Sequence, residues 1–315
     1  MTDINKAIES LQWDKEPRGL YEPIAYALAS GGKRLRPVLA LTAAAIFGGK
    51  EEEVLPAALA LEVFHNFTLL HDDVMDRALV RRGRPTVHVK WDDNTAILSG
   101  DQMLIEAYRL LEGVPGAKLA LVLRWFNEMA TGICEGQQLD VDFEHAERVA
   151  ISDYLKMIEL KTAVLLANAL RTGAYIAGAG EKGQEALYEY GRHIGLAFQI
   201  QDDLLDVYGD PETFGKAIGG DICCNKKTYL LLTALATASA EDKAELEQWL
   251  LVSDRDQEKI AAVTALYTRL RVREAAEAAI EKHTAEALLQ LERLPQNSAT
   301  EQLRQLAEKL VNRTS

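Results

Sequence analysis

Two stretches of the chain carry carboxylates at a spacing suited to gripping a hard cation. Leu70-His71-Asp72-Asp73-Val74-Met75-Asp76 ends a long apolar run, and Gln199-Ile200-Gln201-Asp202-Asp203-Leu204-Leu205-Asp206 repeats the arrangement. On an α-helix, residues four apart lie about 40° apart around the axis and roughly 6 Å along it. Asp72 with Asp76, and Asp202 with Asp206, therefore present two carboxylates from one face, while Asp73 points about 100° away. Like charges at this spacing destabilise a helix by a few tenths of a kcal/mol unless something positive sits between them. The apolar flanks direct both pairs into a cavity. Oxygen ligands with coordination positions to spare suit Mg²⁺ that also holds phosphate oxygens. A solvated acidic helix face would explain one such pair; two matching copies framed by Leu, Ile, Val and Phe fit it poorly. A di-iron carboxylate bundle would require paired Glu-x-x-His motifs on facing helices, and the chain holds no such pair.

Three basic clusters stand against a formal charge of -13. Gly31-Gly32-Lys33-Arg34-Leu35-Arg36-Pro37 is a glycine turn opening into a helix, where Lys33 and Arg36 would share a face with the helix N-terminus, a ready anion site. Arg81-Arg82-Gly83-Arg84-Pro85-Thr86 begins five residues after Asp76. The third cluster, from Phe214-Gly215-Lys216 through Gly219-Gly220-Asp221 to Asn225-Lys226-Lys227-Thr228, follows the second aspartate motif. Arginine forks and lysine point charges are what diphosphate groups require. Any one basic patch alone would read as solvated surface, but two of the three adjoin an acidic motif. The pattern describes a polyphosphate held by metal on one side and by cations on the other. It is not a P-loop, because no G-x-x-x-x-G-K-[ST] occurs.

The elements that must position these residues are helices. Alternating β-branched and polar positions are almost absent, whereas Ala, Leu, Glu and Lys recur at helical spacing, as from Glu51 to Met75. Gly and Pro fall at Gly31-Gly32, Gly48-Gly49, Gly83 to Pro85, Gly113 to Gly116, Gly178 to Gly183 and Gly209 to Gly220, where helices should end. The spacing predicts ten or more helices in an all-α single domain spanning residues 1–315, with residues 239–315 as peripheral C-terminal helices of that domain. The 315 residues include 48% hydrophobic side chains, enough for a dry core. The acidic surface argues against nucleic acid and anionic membranes as partners. Three cysteines, two of them adjacent, form no disulfide framework, and no His or Cys spacing suggests zinc. The start MTDINKAIES lacks a signal-peptide pattern, and no uninterrupted apolar stretch reaches the roughly 18–20 residues of a membrane span. A cytoplasmic protein without a transmembrane segment is the expectation.

With these residues in order, the sequence resembles the trans-polyprenyl diphosphate synthases, the head-to-tail isoprenyl transferases. The resemblance runs from Gly31 to about Tyr229 and is carried by both aspartate motifs. GGKRLRP, RRGRPT, EGQQLD from Glu135 to Asp140, Lys161-Thr162 and GKAIGGDI carry it as well. A lone DDxxD is weak, but the ordered set is specific. The resemblance implies antiparallel helices around a deep central cavity, a homodimer, and Mg²⁺-dependent condensation of isopentenyl diphosphate with an allylic diphosphate. It implies that Asp72, Asp76 and Asp202 hold Mg²⁺ ions gripping the allylic diphosphate. Arg81, Lys161, Gln199, Lys216 and Lys226 would bind the same group, with Thr162 nearby, and Lys33, Arg36, His65 and Arg82 would bind the diphosphate of isopentenyl diphosphate. Asp72, Asp76, Arg81, Lys161, Asp202 and Lys216 form the implied catalytic set. Where relatives carry an acidic-Gly-Lys run, this chain reads Cys223-Cys224-Asn225-Lys226-Lys227, so either lysine fits, and Lys226 is taken. His71 and His88 read as structural, and Phe198 as packing near the reacting olefin.

Phe67 and Phe64 precede Asp72 by five and eight residues, about 7.5 Å and 12 Å at 1.5 Å per residue. In the family such bulky residues act as a floor for the growing chain. With Thr68 rather than an aromatic four residues before Asp72, the pattern resembles short-chain geranylgeranyl diphosphate synthases, and Phe64 could raise the floor towards farnesyl diphosphate. The expected product is an all-trans C15 to C20 prenyl diphosphate. The rival readings are a class I terpene cyclase, which needs no second diphosphate pocket, and a non-catalytic partner subunit, which tends to lose motif residues that this chain keeps.

Overall fold

The computed structural model describes residues 3–210, 218–253 and 256–311. In chain order its helices are α1 (Ile4–Glu9), α2 (Arg18–Leu28), α3 (Leu35–Ile46), α4 (Glu51–Met75), α5 (Val87–Lys90), α6 (Asp93–Leu111), α7 (Gly116–His145), α8 (Ile151–Ile158), α9 (Val164–Ile176) and α10 (Glu181–Tyr208). They continue as α11 (Gly220–Cys223), α12 (Tyr229–Thr237), α13 (Ala240–Leu250), α14 (Asp256–Arg269), α15 (Val272–Leu291) and α16 (Ser298–Val311). A π-helical turn, Glu159–Ala163, joins α8 to α9. Gly31-Gly32, Gly48-Gly49 and Gly83 to Pro85 fall between helices, as their backbone preferences dictate, whereas Gly116 opens α7, Gly183 lies in the first turn of α10 and Gly220 opens α11. Side-chain caps fix several starts: Asp92 accepts from Thr95 N at 2.8 Å at the head of α6, and Ser239 accepts from Asp242 N at 3.1 Å at the head of α13.

Among the described residues, one short hairpin departs from the all-helical expectation. Val80–Arg81 (β1) and Arg84–Pro85 (β2) pair antiparallel, with Val80 opposite Pro85 and Arg81 opposite Arg84. The connecting Arg82 and Gly83 both have positive φ, 52° and 73°, the conformation of a two-residue hairpin turn. Two residues per strand leave no room for alternation, so hydrophobic patterning carries no trace of this hairpin.

The chain divides into two compact units. The first comprises Met1–Asn127, Asn168–Leu187 and Leu294–Thr300. Its centre is α4, whose Val54, Ala57, Ala58, Leu61, Val63 and Phe64 are buried, with α3 and α6 packed against it. By length and composition α4 could cross a membrane, yet most of its apolar window lies buried inside the protein. Asn297 Nδ2 donates to Ile46 O at 3.0 Å, tying the segment before α16 to the end of α3. The second unit comprises Glu128–Ala167, Tyr188–Arg293 and Glu301–Ser315. Its core joins Tyr154, Ile158, Ala197 and Leu204 to Leu246, Val263, Tyr267, Val272 and Ile280 from the helices after Ser239.

Candidate active site

The first aspartate motif closes α4. Asp76 N donates to Asp72 O at 2.8 Å, so helical geometry continues through Asp76 and sets the two side chains one turn apart. Asp76 is exposed and Asp72 half-buried. Asp73, rotated off that face, is buried, and its Oδ1 accepts from both Nε and Nη2 of Arg81 at 2.7 Å. The three aspartates thus differ in surroundings by position on the helix, and Asp73 fixes the orientation of Arg81. A small cavity between α4 and the hairpin is lined by Tyr26, Asn66, Asp73, Arg81, Arg82 and Thr86.

Beneath the glycine turn lies a crowded set of cations. Arg34 is buried and Arg36 half-buried: Arg34 occupies the N-cap position of α3 with φ 45° and donates through Nη1 to Glu62 Oε1 at 2.8 Å and through Nη2 to Leu28 O. Asn66 Nδ2 donates to the same Glu62 oxygen at 3.1 Å. Lys33 is exposed on the segment before α3 rather than on its first turn, because the helix begins only at Leu35. Arg36 is desolvated enough to lower its pKa to about 10, with Glu62 opposing and Arg82 adding to the shift. Its Nε is buried without a hydrogen-bond acceptor. Burial, followed by the charges of Arg36, Arg82, Arg81 and Arg34, holds His65 well below the usual histidine range, so it stands neutral. Arg82 Nη1 donates to Gly31 O, joining the hairpin to the glycine turn. An unmet guanidinium N–H amid these cations costs about 1–3 kcal/mol until an anion supplies the acceptor.

The two candidate chain-length residues belong to a run of stacked rings. Tyr108 meets Phe126 edge-on at 5.1 Å, Phe126 meets Phe64 at 5.2 Å, Phe64 meets Phe67 at 5.4 Å, and Phe67 meets His71 at 4.8 Å. Phe64 is only 1% exposed, whereas Phe67 is half-buried. Thr68 Oγ1 donates to His65 O at 2.8 Å. His71 Nε2 lies 3.1 Å from Ile97 O, in keeping with a structural role.

The second motif lies on α10. Asp202 and Asp206 are half-buried, while Asp203 repeats the behaviour of Asp73 by pointing into the core. Asp203 Oδ2 accepts from Tyr154 OH and from Tyr229 N at 3.0 Å. Burial pushes its pKa up to about 7, against the Tyr154 hydrogen bond. Asp206 Oδ2 accepts from Asp221 N at 3.0 Å, so this carboxylate also anchors the turn after the motif.

Lys161 and Thr162 sit on the π-helical turn, and such turns frequently mark functional positions. Lys161 Nζ donates to Asp140 Oδ2 at 2.7 Å, which explains the acid that ends EGQQLD. Gly136 explains its glycine. A Cβ there would lie 2.4 Å from Lys161 N and 2.8 Å from its Cα, so only glycine lets α7 approach the π turn so closely. From the other side Gly195 of α10 makes an equally tight approach to Ala163.

Other sequence-derived candidates fall as follows. Thr162 and Gln199 are half-buried and Lys226 is exposed. Lys227 Nζ donates to Glu144 O at 3.2 Å. Lys216 lies outside the described residues. Sequence reasoning passed over Glu62, Asn66, Tyr154 and Phe126, and gave Arg34 and Asp140, although inside recognised motifs, no role of their own. Glu62 and Asn66 did leave a signal, as a polar pair four apart inside an otherwise apolar helix.

Residues 17–268 match the family described as Polyprenyl synthetase. A "Geranylgeranyl diphosphate synthase" of Methanosarcina mazei is 44% identical over 233 residues, 73% of this chain and 72% of the relative. A "Geranylfarnesyl diphosphate synthase" of Natronomonas pharaonis is 38% identical over 329 residues, 99% of this chain and 95% of the relative. Among solved structures, a geranylgeranyl pyrophosphate synthase superposes with a TM-score of 0.92 at 46% identity, covering 99% of this chain and 96% of that one. With both aspartate motifs, the glycine turn and the arginine hairpin all inside the matched span, the chain belongs to the polyprenyl synthetase family.

Proposed function

We propose that the chain is a Mg²⁺-dependent head-to-tail prenyltransferase. It condenses isopentenyl diphosphate with dimethylallyl, geranyl or farnesyl diphosphate, giving an all-trans C15 to C20 prenyl diphosphate and diphosphate. The observation that carries this reading is a helical aspartate motif in the same unit as the desolvated cations Arg36 and Arg82, above all Arg36 with its unmet buried Nε–H. The relatives named for geranylgeranyl and geranylfarnesyl diphosphate synthesis support it.

The donor set suits Mg²⁺. Asp72, Asp76 and Asp202 would offer it hard carboxylate oxygens. The remaining coordination positions would fall to diphosphate oxygens and water, the arrangement Mg²⁺ prefers. When bound, the ion neutralises charge on the departing diphosphate.

Arg81, oriented by Asp73, and Lys161, oriented by Asp140, bind the allylic diphosphate together with Gln199, Lys216 and Lys226, Thr162 lying next to Lys161 in the chain. Their charges ease cleavage of the allylic C–O bond, whose electron pair leaves with the diphosphate. Lys33, Arg36, Arg82 and neutral His65 bind the diphosphate of isopentenyl diphosphate and hold its double bond for attack on the resulting allylic cation. A proton is then lost, with the departed diphosphate as its acceptor. Phe64 and Phe67 limit the length of the growing chain. The reading includes a cytoplasmic homodimer. A cyclase working on one substrate would have no use for the second set of cations.

The test is substitution of Asp72 or Asp202 by Ala in the purified enzyme. Turnover should fall by at least about 100-fold with the helical circular dichroism unchanged. Near-normal turnover in either variant would remove the metal assignment.

A further inference from the structure

Lys259 of α14 is 1% exposed, a burial lysine seldom tolerates. All three of its ammonium donors are used: it donates to Asn225 Oδ1 at 2.7 Å, Val252 O at 2.9 Å and Cys223 O at 3.3 Å. A well-packed apolar side chain serves stability as well as a buried charge does, so the ammonium calls for another reason. Two of its three acceptors lie on one turn, Cys223 to Lys226, which hydrogen bonds tie back to Asp206 of the second aspartate motif.

That turn is held from both ends. Asn225 adopts φ 54°, and its Nδ2 donates to Leu250 O at 2.8 Å while its Oδ1 serves Lys259. At the other end Asp206, from the motif itself, accepts from Asp221 N at 3.0 Å through its carboxylate and from Gly219 N at 2.6 Å through its carbonyl. Lys226 N then donates to Asp221 O at 2.9 Å, and Thr228 N to Lys226 O at 2.9 Å. The backbone of Lys226 is therefore clamped between Asp206 and Lys259, while its side chain is exposed. Asp221, Asn225 and Lys226 line one small cavity with Tyr267 and Val263.

We propose that Lys259 is a positioning residue: by fixing the Cys223–Lys226 turn it presents the Lys226 ammonium beside the second aspartate motif as a cation for the allylic diphosphate. The inference rests on the prenyltransferase reading. Lys259 itself touches no substrate, and its charge is spent on backbone and amide oxygens.

The experiment is steady-state kinetics of the full chain with Mg²⁺, geranyl diphosphate and isopentenyl diphosphate. Lys259→Met, Asn225→Gly, Lys226→Ala and the double variant Lys259→Met/Lys226→Ala are compared with the wild type. Lys259→Met should raise KM for geranyl diphosphate by roughly ten-fold while KM for isopentenyl diphosphate stays within about two-fold. In the Lys226→Ala background the same change should add little, because the cation it positions is gone. Should Lys259→Met not fold, Asn225→Gly, which keeps the positive φ but removes both side-chain anchors, decides by the same readouts. An unaltered geranyl diphosphate KM in the folded variant, or a full-sized loss on top of Lys226→Ala, would overturn the inference alone. A wild-type chain that made no prenyl product would overturn the reaction assignment, and this inference with it.

Discussion

Gly132 and Gly136 sit four residues apart on one face of α7, and alanine should stabilise the chain at the first but not at the second. In a helix interior, Gly→Ala ordinarily stabilises by about 1 kcal/mol, since alanine loses less backbone freedom. At Gly132 the new Cβ would meet Leu160 Cδ2 at 3.4 Å and Val164 Cγ2 at 4.0 Å, ordinary contacts, so the full gain is expected. At Gly136 it would lie 2.4 Å from Lys161 N, about 1 Å inside ordinary contact, and the obstacle is backbone that cannot rotate away. Overpacking of this kind costs about 1–3 kcal/mol, which cancels or exceeds the propensity gain. Relief requires α7 and the π turn to separate by roughly 1 Å, enough to cost on the order of 100-fold in rate when a substrate-binding group moves with it. Lys161 and Thr162 ride on that turn. Urea denaturation and single-turnover kinetics would be measured for both variants. The expected outcome is a more stable, active Gly132→Ala and a Gly136→Ala that is no more stable than wild type and slow. A Gly136→Ala as stable as Gly132→Ala with normal turnover would refute the close-approach argument.

Other expectations follow from the same contacts. Arg34→Met strands Glu62 in the core, and loss of one partner of a buried pair costs about 3–5 kcal/mol; adding Glu62→Gln should restore part of it in urea denaturation, and a cost near zero would mean the pair is solvated. Phe67→Ala should lengthen the product by one or more isoprene units in product analysis, with Phe126→Ala acting in the same direction through Phe64; unchanged products would place the floor elsewhere. His283, whose Nδ1 lies 2.9 Å from that of His193, is held down to about 4 by burial, then by His193, Lys282 and Arg192. The unfolded chain, with an ordinary value of 6.5, takes up the proton first. The stability His283 contributes is therefore complete above about pH 6.5 and is lost as pH falls towards 4. His283→Gln should flatten that limb of the stability–pH curve, and an unchanged limb would locate acid sensitivity at other groups.

Much of this architecture was legible because its signals are local. The helices declare themselves by period and by the glycines between them, and Asp72–Asp76 declares a shared face by spacing alone. What spacing could not reveal is which of two identical neighbours turns inward. Asp73 and Asp203 are the same residue type as Asp72 and Asp202, yet each is buried on a partner outside its own helix, Arg81 of the hairpin and Tyr154 of α8 respectively. The same holds for Arg34 and Arg36, two residues apart, where the left-handed φ of Arg34 and the depth of Glu62 decide which one is structural. EGQQLD was recognisable as a motif, but the reasons for its glycine and its acid exist only once α7 meets the π turn. The hairpin at Arg81 to Arg84 is too short to leave any alternation in sequence.

The central claim is tested most directly by mass spectrometry of products from the purified chain. The chain would be supplied with Mg²⁺, isopentenyl diphosphate and, separately, dimethylallyl, geranyl and farnesyl diphosphates. Elongation from these primers that stops at C15 or C20 is the expected result. Absence of elongation from every primer would contradict the prenyltransferase assignment, and products mainly of C30 or longer would contradict the aromatic floor.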